Sequence, residues 1–341
     1  MELIRIFAAL KSMRYIAFLV LLTGQTAFAQ SNDSLPFRMF KGDVILATDL
    51  GFYSAPFSLS DNYNLGVEKI KFKNNPKLVL GLGFAYKWFS FRLGFALPVN
   101  LKSTKKYNET NYFDLGIRFN IKQTYSTIEF RNYKGFTIKD AYKWNDSLGS
   151  GTPHQFRSKT SSVSVSANVY YFKSKTFNFQ AAMGKVGHYT GSAQTWYFKS
   201  SLNFFGVINE GEGSLVPVEL ADSSDRTNAS SVGALDMGFI PGYAYANRIR
   251  NWQFAIFGGL GGVIQSKYYT HLGSTRSFLG IAPRIDFRLM VGYSRPKYFL
   301  ILSTDFDIKS AKIQDLTYNQ TYYNVRLTSG FRIKTKSSKE K

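Results

Sequence analysis

The sequence predicts an all-β fold: a transmembrane antiparallel up-and-down β-barrel of about fourteen strands, with twelve strands as the alternative. Three observations support this prediction. Many segments alternate bulky apolar residues with small or polar ones, aromatic residues gather where these segments end, and short turns alternate with long connections. Several segments reach about ten residues, which suits a tilted membrane strand better than a soluble sandwich strand of about five or six.

The N-terminus has the features of a secretory signal. Arg5, Lys11 and Arg14 precede an apolar stretch over 15–22, and a small-x-small sequence ends at Ala29. The apolar stretch is too short for a membrane-spanning helix. The absence of cysteine excludes a disulfide scaffold and a lipid-modified cysteine. We therefore expect four parts: a cleaved signal peptide over 1–29, a periplasmic N-terminal segment over 30–42, an outer-membrane barrel over 43–334 and a basic tail over 335–341.

The stretch KLVLGLGFAYKWFSFRLGFALPV, residues 77–99, shows the alternation most clearly. Its bulky residues occupy even positions up to Tyr86 and odd positions from Phe89 onward. A two-residue hairpin loop pairs residue i with residue i+3, so facing residues have opposite parity. This segment therefore predicts two strands, 77–86 and 89–97, that close on Tyr86 and Phe89. One face is apolar, and the other carries glycine and Arg92.

The same alternation predicts twelve further strands. The least regular is SLVPVEL, residues 214–220. It is counted because short turns on the periplasmic side must be separated by an even number of strands. The predicted strands are 43–53, 112–121, 126–136, 162–172, 176–184, 193–206, 214–220, 231–246, 251–264, 278–293, 298–309 and 319–334.

Aromatic residues at the strand ends predict a girdle at the membrane interface, where amphipathic rings are favoured. The predicted girdle residues are Tyr86, Trp88, Tyr171, Tyr245, Trp252, Tyr293 and Tyr298. The last predicted strand, 319–334, has an apolar outward face that ends at Phe331 and Ile333. This ending resembles the C-terminal signal read by the barrel-assembly machinery, although the basic tail follows it.

Charged residues collect on the face that would line the lumen. Closing one hairpin on Tyr293 and Tyr298 would place Arg284 opposite Asp307 and Asp286 opposite Asp305. A second hairpin would place Arg118 opposite Glu129. These charges would either brace the barrel wall or form a constriction that selects charged solutes. The predicted lumen network is Arg118, Glu129, Arg131, Arg284, Asp286, Arg288, Asp305, Asp307 and Arg326.

Catalysis has little support in the sequence. The three histidines, His154, His188 and His271, lie in or beside predicted loops, and none has a metal-ligand spacing. A lipid-modifying enzyme would need a histidine beside a serine, and the candidates are His188 or His271 with Ser192 or Ser274. We expect no enzyme activity, no cofactor and no metal.

The charge balance bears on partners. The net charge is +21, and loss of the signal removes three basic residues and one acidic residue, which leaves about +19. We expect no nucleic-acid partner for a chain that carries a secretory signal. Loop lysines could neutralise the anionic groups of lipopolysaccharide, and lumen arginines would favour small anionic solutes.

Two main functions therefore stay open. The first is a narrow, porin-like channel or small-solute transporter with anion bias. The second is a structural or surface-interaction barrel with a closed lumen, whose loops over 98–111 and 137–161 contact lipopolysaccharide.

Three segments carry a family resemblance: LVLGLGFAYKW at 78–88, NYKGFTI at 132–138 and GYAYANRIRNWQFAIFGGLGGV at 242–263. The chain resembles an outer-membrane β-barrel family of Bacteroidota, domain of unknown function 4421. The resemblance implies an outer-membrane location, contact with outer-membrane lipid and insertion by the barrel-assembly machinery. It implies no activity, ligand or catalytic residue.

Overall fold

The computed structural model describes residues 35–40, 42–100, 102, 104, 107, 109–145, 154–211 and 213–335. The predicted signal peptide over 1–29 lies outside the described residues. So do residues 30–34 of the predicted N-terminal segment and residues 336–341 of the basic tail. Within the described part, no helix is long and apolar enough to cross a membrane.

The described residues form sixteen β-strands and one short α-helix. The strands are β1 (Phe37–Met39), β2 (Asp43–Ser54), β3 (Phe57–Ser60), β4 (Lys69–Lys73), β5 (Lys77–Tyr86), β6 (Phe89–Asn100), β7 (Asn111–Ile121), β8 (Thr124–Ile138), β9 (Gln155–Phe172), β10 (Gly187–Tyr189), β11 (Ala193–Asn209), β12 (Ser231–Ile249), β13 (Trp252–His271), β14 (Ser274–Ser294), β15 (Tyr298–Ile313) and β16 (Leu316–Lys334). The helix α1 (Phe179–Ala182) precedes β10, and 3-10 turns lie at Asn64–Gly66 and Ala141–Lys143.

Twelve antiparallel strands close into a ring. The order is β2, β5, β6, β7, β8, β9, β11, β12, β13, β14, β15 and β16, and β16 pairs back onto β2. The short strands β3 and β4 bring the sheet to fourteen strands. The all-β antiparallel barrel is thus confirmed, and twelve is the number of strands in its ring. The hairpin closed by Tyr86 and Phe89 is also confirmed.

The two ends of the ring differ. One end, called here the turn end, carries the short turns at 87–88, 122–123, 250–251 and 295–297, together with the start of β2 and the end of β16. At the opposite loop end, β3 continues from β2 and pairs with β16, and β4 pairs with β8. The hairpin formed by β3 and β4 therefore makes a shorter path from β16 to β8 and bypasses β5, β6 and β7.

Several strands are longer than predicted at the loop end. β13 and β14 continue to a two-residue turn at Leu272 and Gly273, where a loop over 265–277 was expected. Both turn residues have positive φ, 47° and 77°. This conformation matches the right-handed twist of the flanking strands, so the hairpin closes tightly.

Two predicted strands are wrong. Residues 176–184 lie inside the barrel and contain α1, whose N-cap Asn178 accepts a 3.1 Å hydrogen bond from the Ala181 amide. The alternation of Phe177, Phe179 and Ala181 mimics a strand, but all three pack in the core. Residues 214–220 are irregular, because a turn forms at Pro217. Because two predicted membrane strands are removed rather than one, the number of strands between the short turns of the turn end stays even.

The outer face of the ring is apolar. Along β11, Leu202 points outward with 48 % of its surface exposed, whereas neighbouring Ser201 points inward and is 2 % exposed. The same outward pattern recurs around the ring, in Leu46, Leu50, Leu82, Phe84, Val169, Phe198, Leu235, Met237, Val291, Leu300, Val325 and Leu327. A soluble protein does not expose so large an apolar surface, and a closed antiparallel ring of this kind suits lipid. The fold is that of an outer-membrane β-barrel.

Candidate functional site

The lumen has three layers. An apolar cluster fills the loop end, where Phe57 and Phe72 stack at 4.2 Å between ring centroids. The buried Leu215 and Leu220 belong to the same cluster. Other apolar clusters fill the turn end. Between them lies a layer of ion pairs, called here the charged belt. Its residues are Arg118, Glu129, Arg131, Lys199, Arg284, Asp286, Arg288, Asp305, Asp307 and Arg326.

The structure places all nine predicted lumen residues in the charged belt, but it pairs them differently. The hairpin of β14 and β15 closes Ser294 on Phe299, so Arg288 lies directly opposite Asp305 and forms an ion pair with it. The predicted pairings of Arg284 with Asp307 and of Asp286 with Asp305 are wrong. The closing pair lies one residue further along the chain than the predicted pair of Tyr293 and Tyr298, which shifts the register by two.

Elsewhere in the belt, Arg284 pairs with Asp236 on β12. Asp286 accepts hydrogen bonds from Lys199, at 2.8 Å, and from the Tyr197 hydroxyl, at 2.9 Å. These partners come from strands that are not sequence neighbours of β14, so hairpin reasoning did not reveal them.

A similar shift occurs between β7 and β8. The turn holds two residues, so Arg118 faces Thr127 and Gly116 faces Glu129. Arg118 therefore reaches Glu129 only diagonally, at 3.9 Å, while Arg131 binds Glu129 at 2.6 Å. The predicted direct opposition of Arg118 and Glu129 is wrong, although the two charges do pair.

Arg92 is the centre of a buried cluster that the sequence analysis did not assemble. Its guanidinium binds Asp49 at 2.7 and 2.8 Å, Asp114, and the Tyr53 hydroxyl at 2.8 Å. Arg92 and Asp49 lie on strands separated by β5, which carries Gly81 between them. A Cβ at Gly81 would lie 2.4 Å from the Asp49 carboxylate oxygens. The inward glycines therefore make room for this ion pair.

Residues 173–192, called here the plug segment, fold into the lumen at the turn end. Its strand β10 pairs with β1. Phe179 of α1 stacks on Tyr125 at 4.0 Å between ring centroids. Two wall side chains hold the segment by its carbonyl groups. Gln253 donates to Ala181, at 2.6 Å, and to Ala182, at 2.8 Å.

Arg332 is the second anchor of the plug segment. It donates to the carbonyl oxygens of Gly184, at 2.6 Å, and of Lys185, at 2.7 Å. Burial, followed by the neighbouring Arg326 and Arg118, holds the pKa of the Lys185 amine well below its usual range.

One candidate catalytic pair, His271 and Ser274, is brought side by side by the turn between β13 and β14, but no hydrogen bond joins the two among the described residues. His188 lies in β10, where burial and then the nearby charges of Arg248, Arg332 and Arg38 lower its pKa to about 4. His271 faces Ser274 across a turn, and its Nδ1 lies 2.9 Å from the carbonyl oxygen of Asn228. Within the described residues, neither histidine is hydrogen-bonded to Ser192 or Ser274.

The predicted girdle residues lie at the turn end. Trp252 and Tyr293 contact edge to face at 5.5 Å between ring centroids, and Tyr293 stacks on Tyr298 at 6.1 Å. Trp88 and Tyr171 are exposed on the outer face. Tyr86 and Tyr245 are partly exposed there.

Two adjoining polar cavities, of about 50 Å³ and about 20 Å³, occupy the charged belt. Besides Lys185 of the plug segment, the wall strands contribute six basic residues to their linings, Arg118, Arg131, Lys199, Arg284, Arg288 and Arg326, against four acidic residues, Glu129, Asp286, Asp305 and Asp307. A third cavity of about 40 Å³ lies beneath the plug segment and contacts Asp49, Arg92 and Lys185. The belt therefore has a positive bias and room for a few water molecules.

A family model described as "Domain of unknown function (DUF4421)" matches residues 32–333. The chain belongs to this family. No curated protein matches the DUF4421 chain. The family shown by this match is the one that the three sequence segments resemble.

Solved outer-membrane structures are similar to the DUF4421 barrel at low identity. The COG4313 outer membrane channel from Pseudomonas putida F1 aligns at 11% identity with a TM-score of 0.32, over 89% of this chain and 100% of that one. The Pseudomonas putida toluene transporter TodX aligns at 6% identity and 0.31, over 86% and 90%. The translocator domain of the autotransporter NalP from Neisseria meningitidis aligns at 8% and 0.29, over 96% and 97%.

Proposed function

We propose that this barrel is a gated channel for small solutes with a preference for anions, and that it has no catalytic activity. The observation that carries the proposal is the charged belt, in which six basic and four acidic residues of the wall strands surround two adjoining cavities. Fixed charges in a narrow passage raise the local concentration of counter-ions. An excess of arginine and lysine therefore favours anions over cations at this level of the lumen.

The described conformation is closed. Apolar clusters fill the lumen on both sides of the belt, and each belt cavity has room for only a few water molecules. Conduction therefore requires the plug segment to move, and the loop-end cluster to open as well. Gln253 and Arg332 supply five hydrogen bonds to plug carbonyls and to the Tyr189 amide. Loosening either anchor should raise the open fraction.

Single-channel recording in planar bilayers tests the proposal. The wild type should show rare openings, and Gln253→Ala should open more often. In a potassium chloride gradient the reversal potential should indicate preference for chloride. Arg118→Gln should reduce that preference, because Arg118 lines the belt and pairs only weakly with Glu129. Lys87→Gln removes an equal charge from an exposed turn and should leave the preference unchanged.

A second function is favoured by the closure of the loop end. There the hairpin of β3 and β4 joins β16 to β8 across the mouth, and its aromatic residues pack against the lumen core. A permanently closed barrel would serve as a surface protein whose basic loops contact lipopolysaccharide. Absence of conductance in both the wild type and Gln253→Ala, together with binding to lipopolysaccharide, would favour this function over the channel.

A further inference from the structure

The ring of strands is incomplete between β14 and β15. Their ladder contains eight residue pairs and stops at Phe287 and Phe306. Above this point β14 continues to Ser274, paired only with β13, and β15 continues to Ile313, paired only with β16. Two strand edges therefore face each other without a shared ladder, whereas lipid-facing barrel strands normally satisfy every backbone group by pairing.

Side chains replace the missing ladder. The Tyr298 carbonyl accepts a hydrogen bond from the Arg295 amide, so it points toward β14. Because backbone direction alternates along a strand, the carbonyls of the other even-numbered residues of β15 also point toward β14. Three of these carbonyls accept side-chain donors instead: Ser310 from Gln265 at 2.9 Å, Lys312 from Lys267 at 2.9 Å, and Ile308 from Arg284 at 3.5 Å. These three side chains are called here the latch.

Two residues of β14 fit this open edge. The Ser294 amide donates to the Asn251 carbonyl, on the side of β14 that faces β13. Because backbone direction alternates along the strand, the odd-numbered residues of β14 direct their backbone nitrogen toward β15. Pro283 is one of them, and proline has no N–H to donate to a ladder. Gly280 leaves a passage for the latch, since a Cβ there would lie 2.4 Å from the Lys267 ammonium. The sequence of β14 is therefore suited to an unpaired edge.

The gap starts within the membrane. Phe287 lies six residues above the girdle residue Tyr293, which corresponds to about 15 Å along the barrel axis for a tilted strand. The apolar band of an outer-membrane barrel is about 25 Å tall. With the turn end on the periplasmic side, the gap opens at the level of the outer leaflet and extends past its surface. Leu279 and Ile281, on the outer face beside it, are 83 % and 82 % exposed.

The gap also reaches the lumen. The larger belt cavity is lined by inward-facing Arg284 and Asp286, and also by the outward-facing Ile285, Phe287 and Phe306, which flank the end of the ladder. Arg284 is 3 % exposed, and its Nε has no hydrogen-bond partner among the described residues. A polar, positively biased cavity therefore adjoins lipid at this point of the wall.

We propose that the gap between β14 and β15 is a lateral portal that admits a single-chain anionic amphiphile from the outer leaflet. Its carboxylate or phosphate head group would enter the charged belt beside Arg284, and its alkyl chain would stay in lipid against Ile285 and Phe287. This goes beyond solute flow along the barrel axis, because the ligand arrives from the bilayer. The latch holds the portal narrow in the described conformation.

A reversible cross-link tests the portal, and the chain has no native cysteine to interfere. The first double variant is Ile285→Cys with Ile308→Cys. These two residues would be the next outward-facing pair if the ladder continued beyond Phe287 and Phe306. Val291→Cys and Leu302→Cys form the matched control, because these residues are already paired within the ladder. Each double variant, in lipid nanodiscs, is bridged with a short thiol cross-linker. Binding of dansyl-undecanoic acid is then measured against empty nanodiscs.

Bridging the gap should weaken binding about tenfold or more, since it removes the binding-competent population. A reductant should restore binding, which also shows that the variant is folded. The control bridge should change nothing, and a dansyl probe with the same chain and a trimethylammonium head should bind weakly to every form.

Unchanged binding after bridging, or equal binding of the cationic probe, would overturn the proposal. Loss of self-association on bridging, without any effect on the probe, would instead identify the edge as a contact between copies. Conductance is not measured, so failure here is separate from failure of the channel.

Discussion

Gln253 on β13 donates a 2.6 Å hydrogen bond from its Nε2 to the carbonyl oxygen of Ala181, inside the barrel. The same side chain donates to Ala182 and accepts from the Tyr189 amide at 2.8 Å. One buried side-chain amide thus bonds both the end of α1 and the end of β10. The plug segment depends on this residue for its position.

Gln253→Ala should therefore loosen the plug segment. The variant leaves the Ala182 carbonyl and the Tyr189 amide without these partners, at a cost of about 1–3 kcal/mol for each group that water cannot reach. The Ala181 carbonyl keeps its hydrogen bond from the Gly184 amide. Hydrogen exchange at residues 179–190 should accelerate, while exchange in the strands β11 and β12 stays slow. Gln194→Ala on the outer face, where Gln194 accepts from the Tyr243 hydroxyl, is the control. Equal exchange in both variants would contradict the anchoring role.

The inward glycines of β5 provide a matched pair of substitutions. Gly81→Ala places a methyl group 2.4 Å from the Asp49 carboxylate and should disturb its pairing with Arg92. Gly83→Ala lies two residues further on the same face, where the nearest atoms are 3.6 Å away. We expect Gly81→Ala to lower the free energy of unfolding by about 1–3 kcal/mol, as overpacking does. Gly83→Ala should have little effect, as measured by urea unfolding in detergent micelles.

Strand positions near the turn end follow from the sequence, but the lumen contacts do not. β5 and the start of β6 agree with the predicted limits because tight turns fix the parity of the residues on either side. At the loop end, β9 begins at Gln155 rather than at residue 162. There the outward residues face water or sugar instead of lipid, so the alternation of apolar residues fades.

The sequence could predict which charged residues face the lumen, but not which partners they bind. Parity alone places Arg284 and Asp305 on the inner face. Their partners depend on the exact length of each turn and on which strands lie opposite each other across the lumen. Asp236, on β12, pairs with Arg284 from a strand that is not its neighbour in the hairpin order. The role of Gln253 had no signal at all, because a buried glutamine in a strand looks like any other inward polar residue.

Stability of the plug segment should depend on pH through His188. Burial and nearby arginines lower its pKa from 6.5 to about 4 in the folded protein. The unfolded chain therefore binds a proton before the folded chain does as the pH falls. Stability from this group is complete above about pH 6.5 and is lost progressively toward pH 4.

The measurement is hydrogen exchange of the plug segment at a series of pH values, corrected for the intrinsic pH dependence of exchange. Protection should fall between pH 6.5 and pH 4 in the wild type. His188→Asn cannot take up the proton and should show a flat profile across this window. His271→Asn, at the loop end, should keep the wild-type profile. A flat profile in the wild type would show that His188 is not the group responsible.

The opposite faces of β11 test the membrane orientation of the whole barrel. Leu202 points outward into the predicted apolar band, so Leu202→Arg places a charge in hydrocarbon. The expected loss is about 2–4 kcal/mol if the site lies near the bilayer midplane. Ser201→Arg puts the same side chain into the polar lumen, where it meets belt carboxylates, and should cost less despite the crowding. Folding of both variants into phospholipid vesicles, followed by heat-modifiable gel mobility, gives the comparison. If Leu202→Arg folded as well as the wild type while Ser201→Arg failed, the outward face would not be the lipid face, and the lumen would have to be reassigned to the other side of every strand.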